Sequence, residues 1–132
     1  MFKQGPIPAL VHGVIEYIAG AVLIAAPFLL SFDADAATAA SIVAGVLILI
    51  IAASTAMSTG LIKSIPVQAH VVLDYILAVL LIAAPFLFGF SDDGTATAFF
   101  IGLGVLHLLV TIATRFIRDE SSRRRRGTEP VR

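Results

Sequence analysis

The chain has 132 residues, of which 58% are hydrophobic and only 14% are charged, and it contains no cysteine. A soluble domain typically carries about 25% charged residues, so this composition excludes an ordinary soluble globular protein and favours one embedded in lipid. The absence of cysteine excludes disulfides, thiolate metal sites and cysteine catalysis.

Four apolar stretches follow one another along the chain, at residues 8–30, 36–57, 66–88 and 95–117. Each is long enough to cross a hydrocarbon core of about 30 Å as a helix, which takes roughly 20 residues. Pro8 and Pro66 suit the first turn of the first and third helices, where the missing N–H costs nothing. The sequence therefore predicts an all-α membrane protein with four transmembrane helices.

The four stretches form a tandem repeat. A shift of 58 residues aligns residues 7–40 with 65–98, and sixteen of these thirty-four positions are identical. We predict a first two-helix repeat at 1–57, a link at 58–64, a second repeat at 65–117 and a tail at 118–132. Two spans per repeat insert both copies in the same direction, which predicts a pseudo-two-fold axis along the membrane normal.

Charge predicts the orientation of the helices. All nine Lys and Arg residues lie at Lys3, at Lys63 or from Arg115 onward, whereas the other two links carry only acidic residues. Positive charge favours the cytoplasmic side. We therefore expect a multi-pass protein of the cell membrane with both termini in the cytoplasm and the links near Asp33 and Asp92 outside.

Polar residues recur inside the spans. A His and an acid lie four residues apart on the first and third helices, and this spacing places each pair on one helical face. Ionisable residues within a span usually face the bundle interior. The fourth helix runs in the opposite direction, which brings a third His, His107, to the same depth. The residue that corresponds to His107 in the first repeat is the apolar Leu49. The predicted layer comprises His12, Glu16, His70, Asp74 and His107, with Tyr17 and Tyr75 as further hydrogen-bond donors.

This layer has three interpretations. In the structural one, each His pairs with its own acid and the pairs hold the helices together. The second is a proton or ion path, because carboxylate–His chains are usual relay groups. The third is a metal site, since two His and two carboxylates (His12, Glu16, His70, Asp74) match a tetrahedral Zn set. The sequence has no recognisable catalytic motif, so we expect a non-enzymatic structural or interaction module without a cofactor.

Small residues predict how the helices pack. Close approach of small side chains is what associates helices in lipid. The same faces could instead associate two copies of the chain into a homo-oligomer. The second helix has the rows Ala37, Ser41, Gly45 and Ala36, Ala40, Ala44, and the fourth has Ala98, Gly102 and Gly104.

The stretches 23–32 and 81–90 resemble the SPW repeat family of small membrane proteins with a two-helix unit. Ala26-Pro27-Phe28 and Ala84-Pro85-Phe86 occupy the positions of its Ser-Pro-Trp motif. The resemblance implies a fold and a membrane location but no activity. A proline late in a helix favours a kink or a helix end. The alternative is a hinge, or a symmetric outer vestibule lined by Phe28 and Phe86.

The tail beyond the last span is basic. Each basic residue near an anionic leaflet contributes about 1 kcal/mol of attraction, so we expect this tail to contact lipid headgroups. The alternative is a docking site for an acidic cytoplasmic partner. No folded basic surface accompanies the tail, so nucleic-acid binding is not expected. The residues concerned are Arg118, Arg123, Arg124, Arg125 and Arg126.

Overall fold

The computed structural model describes residues 5–115, which form four helices: α1 (Ala9–Leu29), α2 (Asp35–Ser54), α3 (Val67–Leu87) and α4 (Gly94–Ala113). All four are long and apolar enough to cross a membrane, which confirms the prediction of an all-α protein with four spans. Lys3 and the tail arginines from Arg118 to Arg126 lie outside the described residues.

Short extended segments end the helices at one end of the bundle, which we call the base (residues 5–8, 55–66 and 114–115). Strand β1 (Ile7–Pro8) pairs in parallel with strand β2 (Thr114–Arg115), and Thr55 forms a parallel bridge with Ile65. Because of this pairing α2 and α4 end before the predicted residues 57 and 117. Pro8 and Pro66 also lie one residue before their helices, with extended ψ angles of 149° and 147°, and not in the first turn.

The prolines of the repeat motif lie in the last turns of α1 and α3, at the opposite end of the bundle, the top (residues 30–34 and 88–93). Ser31 and Gly89 follow the helices with φ of 52° and 71°. The next residue then donates its N–H back to the proline carbonyl, Phe32 to Pro27 at 3.1 Å and Phe90 to Pro85 at 2.9 Å. This is the Schellman closure of a helix end, so the motif terminates each helix.

Phe28 and Phe86 are 70% and 66% exposed on the outside of the bundle. This position gives no support to the alternative of a vestibule lined by these two side chains. Their positions around the helices point them away from the core, toward the surface that would contact lipid.

Glycines bring the helices of each hairpin together. A Cβ on Gly45 of α2 would lie 2.6 Å from the carbonyl oxygen of Gly20 on α1, and one on Gly104 of α4 would lie 3.1 Å from that of Ala78 on α3. The predicted row Ala37, Ser41, Gly45 is buried, whereas Ala98 and Gly102 are exposed and do not form the packing face of α4.

These contacts correct the repeat register. Gly20 and Ala78 are 58 residues apart, but Gly45 and Gly104 are 59 apart, as are the first residues of α2 and α4. The second hairpin loop contains one extra residue, so the offset changes within each repeat. With the offset of 59, nine of the twenty residues at 36–55 are identical to those at 95–114. The counterpart of His107 is therefore Ile48 and not Leu49.

The two hairpins meet at the top through Asp93. Its carboxylate accepts the N–H of Asp33 at 2.8 Å and of Ala34 at 3.0 Å, both in the other hairpin loop, and it caps α4 by accepting the N–H of Ala96. These N–H donors, that of Ala34 first, hold the pKa of the Asp93 carboxyl below its ordinary value. Asp93 thus joins the two hairpin loops, and we call these hydrogen bonds the Asp93 latch.

The core between the latch and the base is made of buried apolar side chains. Within each hairpin the helices pack along their length, and the hairpins touch each other more sparsely, through α1 with α4 and α2 with α3. The predicted pseudo-two-fold axis along the membrane normal stays a prediction. The largest core residues include Leu23, Ile48, Leu81, Phe90 and Phe100.

Candidate functional site

The polar side chains of the spans meet in one cluster near the base. His12 and His70 are each the fourth residue of their helices, about 5 Å above the helix starts, and Glu16 and Asp74 lie one turn higher. All four are buried, with at most 3% of each residue exposed. The structure therefore brings both predicted His–acid pairs to the same place in the bundle interior.

The pairing crosses between the repeats. Nε2 of His12 lies 3.0 Å from Oδ2 of Asp74, its hydrogen-bond partner, and 3.6 Å from Oε1 of Glu16 on its own helix. Nε2 of His70 lies 3.1 Å from Glu16 and 3.2 Å from Asp74. Each His therefore contacts the acid of its own helix, as the structural interpretation expects, and also the acid of the other repeat. For His12 the contact across the repeats is the shorter of the two.

Two threonines hold the other face of the imidazoles. Nδ1 of His12 lies 2.9 Å from the hydroxyl of Thr114, and Nδ1 of His70 lies 2.7 Å from that of Thr55. Each hydroxyl donates its single hydrogen to a helix carbonyl one turn earlier, at 2.6 Å. The hydroxyls can therefore only accept from the rings, so both Nδ1 atoms carry hydrogen and both Nε2 atoms face the carboxylates.

Thr55 and Thr114 were not predicted to belong to the cluster. A signal was present, because they are identical at the offset of 59 and each lies just after the last residue of its helix. The uniform offset of 58 concealed the match by pairing Thr55 with Ala113.

His107 joins the cluster from α4. Its Nε2 lies 3.8 Å from Oδ1 of Asp74, and its ring centre is 6.4 Å from that of His12. The residue is only 6% exposed, and within residues 5–115 this nitrogen has no hydrogen-bond partner. Asp74 is thus the centre of the cluster, with one oxygen toward His12 and His70 and the other toward His107.

The tyrosines were expected to donate into the same layer. Tyr17 instead donates its hydroxyl to the backbone carbonyl of Thr59, at 2.9 Å, and fastens the link to α1. Tyr75 occupies the equivalent position of α3, is half-buried, and its membership of the cluster stays a prediction.

The buried side chains between the cluster and the top are apolar or carry a hydroxyl, and they include Leu23, Ser41, Leu81 and Phe100. Within the described part of the chain, this core offers a proton or ion no continuous polar path from Asp74 to the top. The geometry of a single bundle therefore does not favour the relay interpretation.

A family model, SPW repeat domain, matches residues 10–114. The chain belongs to the SPW repeat family. No curated protein and no solved structure matches it. In this SPW repeat protein the motif residues Pro27 and Pro85 lie fifteen residues beyond the histidines along α1 and α3, about 22 Å away. The family motif and the polar cluster are therefore separate features at opposite ends of the bundle.

Proposed function

We propose that this SPW repeat protein is a non-enzymatic structural module of the cell membrane, in which the His–carboxylate cluster clamps the two hairpins together. The observation that carries the proposal is the hydrogen bond from Nε2 of His12 to Asp74, which joins the first repeat to the second in the buried centre of the bundle. The base, with the cluster above it, faces the cytoplasm in this proposal.

The clamp has a physical rationale, because apolar contact alone joins helices weakly in lipid. Lipid tails are as apolar as Leu, so helix association depends on close packing and on hydrogen bonds. Glycines supply close packing within each hairpin, at Gly45 and at Gly104. Between hairpins the described contacts are sparser, and there the cluster and the Asp93 latch contribute bonds at the two ends.

The outside of the bundle fits a lipid environment. All four helices expose large apolar side chains, among them Ile18, Val43, Val79 and Leu109. We propose membrane lipids as the immediate partners, with anionic headgroups at the tail arginines, and a homo-oligomer formed through helix faces that are exposed in the single chain.

The clamp is tested by substitutions at its central carboxylate. Asp74→Ala removes an acceptor that three histidines face, and breaking such a buried pair costs about 3–5 kcal/mol of unfolding free energy. Asp74→Asn keeps an oxygen that accepts a hydrogen bond, so we expect a loss of about 1 kcal/mol. The measurement is reversible unfolding of the full chain in mixed detergent micelles.

Asp92→Asn provides the matched control, because Asp92 is an exposed carboxylate of a hairpin loop. We expect it to leave the unfolding free energy within about 0.5 kcal/mol of the parent. The clamp proposal fails if Asp74→Ala unfolds at the same denaturant concentration as this control.

A further inference from the structure

Four of the six distances between the ligand atoms at the centre of the cluster match the edges of a tetrahedral metal site. Bonds of 2.0–2.1 Å to a tetrahedral Zn²⁺ separate neighbouring ligand atoms by about 3.3–3.4 Å. The four His-to-carboxylate distances are 3.0, 3.1, 3.2 and 3.6 Å. One ligand atom from each of His12, Glu16, His70 and Asp74 can be chosen so that all four lie within 4.8 Å of one another. Small side-chain movements would therefore complete the tetrahedron.

The threonines orient both imidazoles as metal ligands. A ligating His commonly donates its other ring N–H to a fixed acceptor, which sets the tautomer and aims the lone pair. Thr114 and Thr55 accept from Nδ1 of His12 and His70, at 2.9 and 2.7 Å. In the neutral form of each ring, the Nε2 lone pair then faces the two carboxylates. The same arrangement occurs twice, once from each repeat.

Charge and donor type select the ion. Two neutral imidazoles and two carboxylates carry a charge of −2 in a buried site, which one divalent cation cancels. Imidazole nitrogen suits Zn²⁺ and other first-row transition metals, whereas Mg²⁺ and Ca²⁺ prefer oxygen ligands alone. A set of two nitrogens and two oxygens in tetrahedral arrangement fits Zn²⁺ best.

His107 provides an observation independent of the four ligands. It is a 94% buried polar side chain whose Nε2 has no hydrogen-bond partner within residues 5–115 and faces Oδ1 of Asp74 at 3.8 Å. With Oδ2 of Asp74 bound to a metal, Oδ1 remains to accept a hydrogen bond from His107. The imidazole would hold the carboxylate in its ligating orientation.

We propose that His12, Glu16, His70 and Asp74 bind one Zn²⁺ ion per chain, with Thr55, Thr114 and His107 as positioning residues. This site goes beyond the clamp and would replace its bonds. In the clamp, Nε2 of His12 carries a hydrogen that it donates to Asp74. In the metal site, the same nitrogen gives up that hydrogen and binds the ion through its lone pair.

The test uses the full-length, untagged protein in detergent, stripped with a chelator and dialysed against Zn²⁺ alone. We expect one Zn²⁺ per chain, and X-ray absorption at the zinc edge should show four nitrogen or oxygen neighbours, two of them imidazoles. Co²⁺ in the same site should give the intense visible bands of a tetrahedral ion. Failure of the parent to retain zinc, or a six-coordinate spectrum, would overturn the proposal.

Variants separate the ligands from their supports. Glu16→Gln with Asp74→Asn retains hydrogen-bonding groups but removes both anionic ligands, so zinc binding should fall at least 100-fold. Thr55→Val with Thr114→Val retains all four ligands, so binding should stay at one ion per chain and weaken by about 10–100-fold. His107→Ile introduces the residue type found at the corresponding position of the first repeat, Ile48. It should weaken zinc binding by about 10-fold without changing the coordination number.

Thr95→Val is the matched control for the threonine variants, since Thr95 is exposed near the top end of α4 and far from the cluster. Equal zinc binding by the parent and the acid double variant would refute the site. Unfolding free energies of the same variants keep the two proposals apart. A stable acid double variant without zinc supports the site, whereas a parent that binds no zinc but unfolds early after Asp74→Ala supports the clamp alone.

Discussion

The buried hydrogen bond from Ser41 to Leu23 offers a sharp test of how the repeat motif is accommodated. Pro27 has no N–H, so the carbonyl of Leu23, four residues earlier, lacks its normal helical donor. The Ser41 hydroxyl of α2 donates to that carbonyl at 2.5 Å, and both residues are completely buried. Hydroxyl side chains of neighbouring helices are known to satisfy carbonyls that proline leaves free in membranes.

Ser41→Ala removes this donor and leaves the carbonyl buried without it. An unsatisfied buried acceptor costs about 1–3 kcal/mol in soluble proteins. Hydrogen bonds between membrane helices average about 0.6 kcal/mol and reach about 1.7 kcal/mol. Because both partners here are fully buried and the bond is short, we expect a loss of about 1–2 kcal/mol of unfolding free energy, measured by unfolding in mixed detergent micelles.

A double-mutant cycle tests the cause. Pro27→Ala returns an N–H to the helix, so in that background Ser41→Ala should cost less than about 0.5 kcal/mol. Pro85→Ala makes the matching change in α3, away from Ser41, and should leave the cost of Ser41→Ala unchanged. If Ser41→Ala costs the same in the Pro27→Ala background as in the parent, the hydroxyl does not compensate for the proline and our reasoning is wrong.

Three further predictions concern the ends of the bundle. The folded-state pKa of Asp93 is lowered, so its carboxylate stabilises the fold above the ordinary Asp pKa of about 3.9, and this contribution is lost as pH falls below that value. Asp93→Asn should therefore reduce the loss of unfolding free energy at acidic pH. An unchanged loss at acidic pH would contradict the latch. Cysteine at Gly94 should react with an impermeant thiol reagent on intact cells and cysteine at Ser64 should not, whereas the opposite labelling would reverse the orientation. Gly13→Ala places a Cβ 2.0 Å from the hydroxyl oxygen of Thr59, so it should lower the thermal unfolding temperature, and Thr59→Ala should restore part of the loss if the clash is its cause.

Much of the fold followed from the sequence, because length and composition of an apolar run decide whether a helix can span lipid. The four spans needed no tertiary information, and neither did the depth of His12 and Asp74, since a helix rises by a constant 1.5 Å per residue. Direction along the chain was enough to bring His107 to the same level.

Which side chains meet around His12, Asp74 and His107 could not be predicted from the order of the spans alone. One extra residue in the second hairpin loop changes the repeat offset from 58 to 59 for α4, and one residue corresponds to a rotation of about 100° around a helix. That rotation decides that Ile48, the counterpart of His107, is buried, whereas Leu49 is only partly buried. It also decides that Gly104 contacts Ala78 while Gly102 is exposed.

The hydrogen-bond partners of the two imidazoles also depended on the tertiary structure. The spacing of four residues placed His12 and Glu16 on one face of α1. The distance across to Asp74 depends on how the two hairpins pack, and it is the shorter one. Thr55 and Thr114 reach the imidazoles only because the chain leaves helical geometry at the base, where it pairs with the extended residues that precede α1 and α3. A helix end of this kind is determined by the segment it pairs with. For Thr114 that segment, at Ile7, lies at the other end of the described chain.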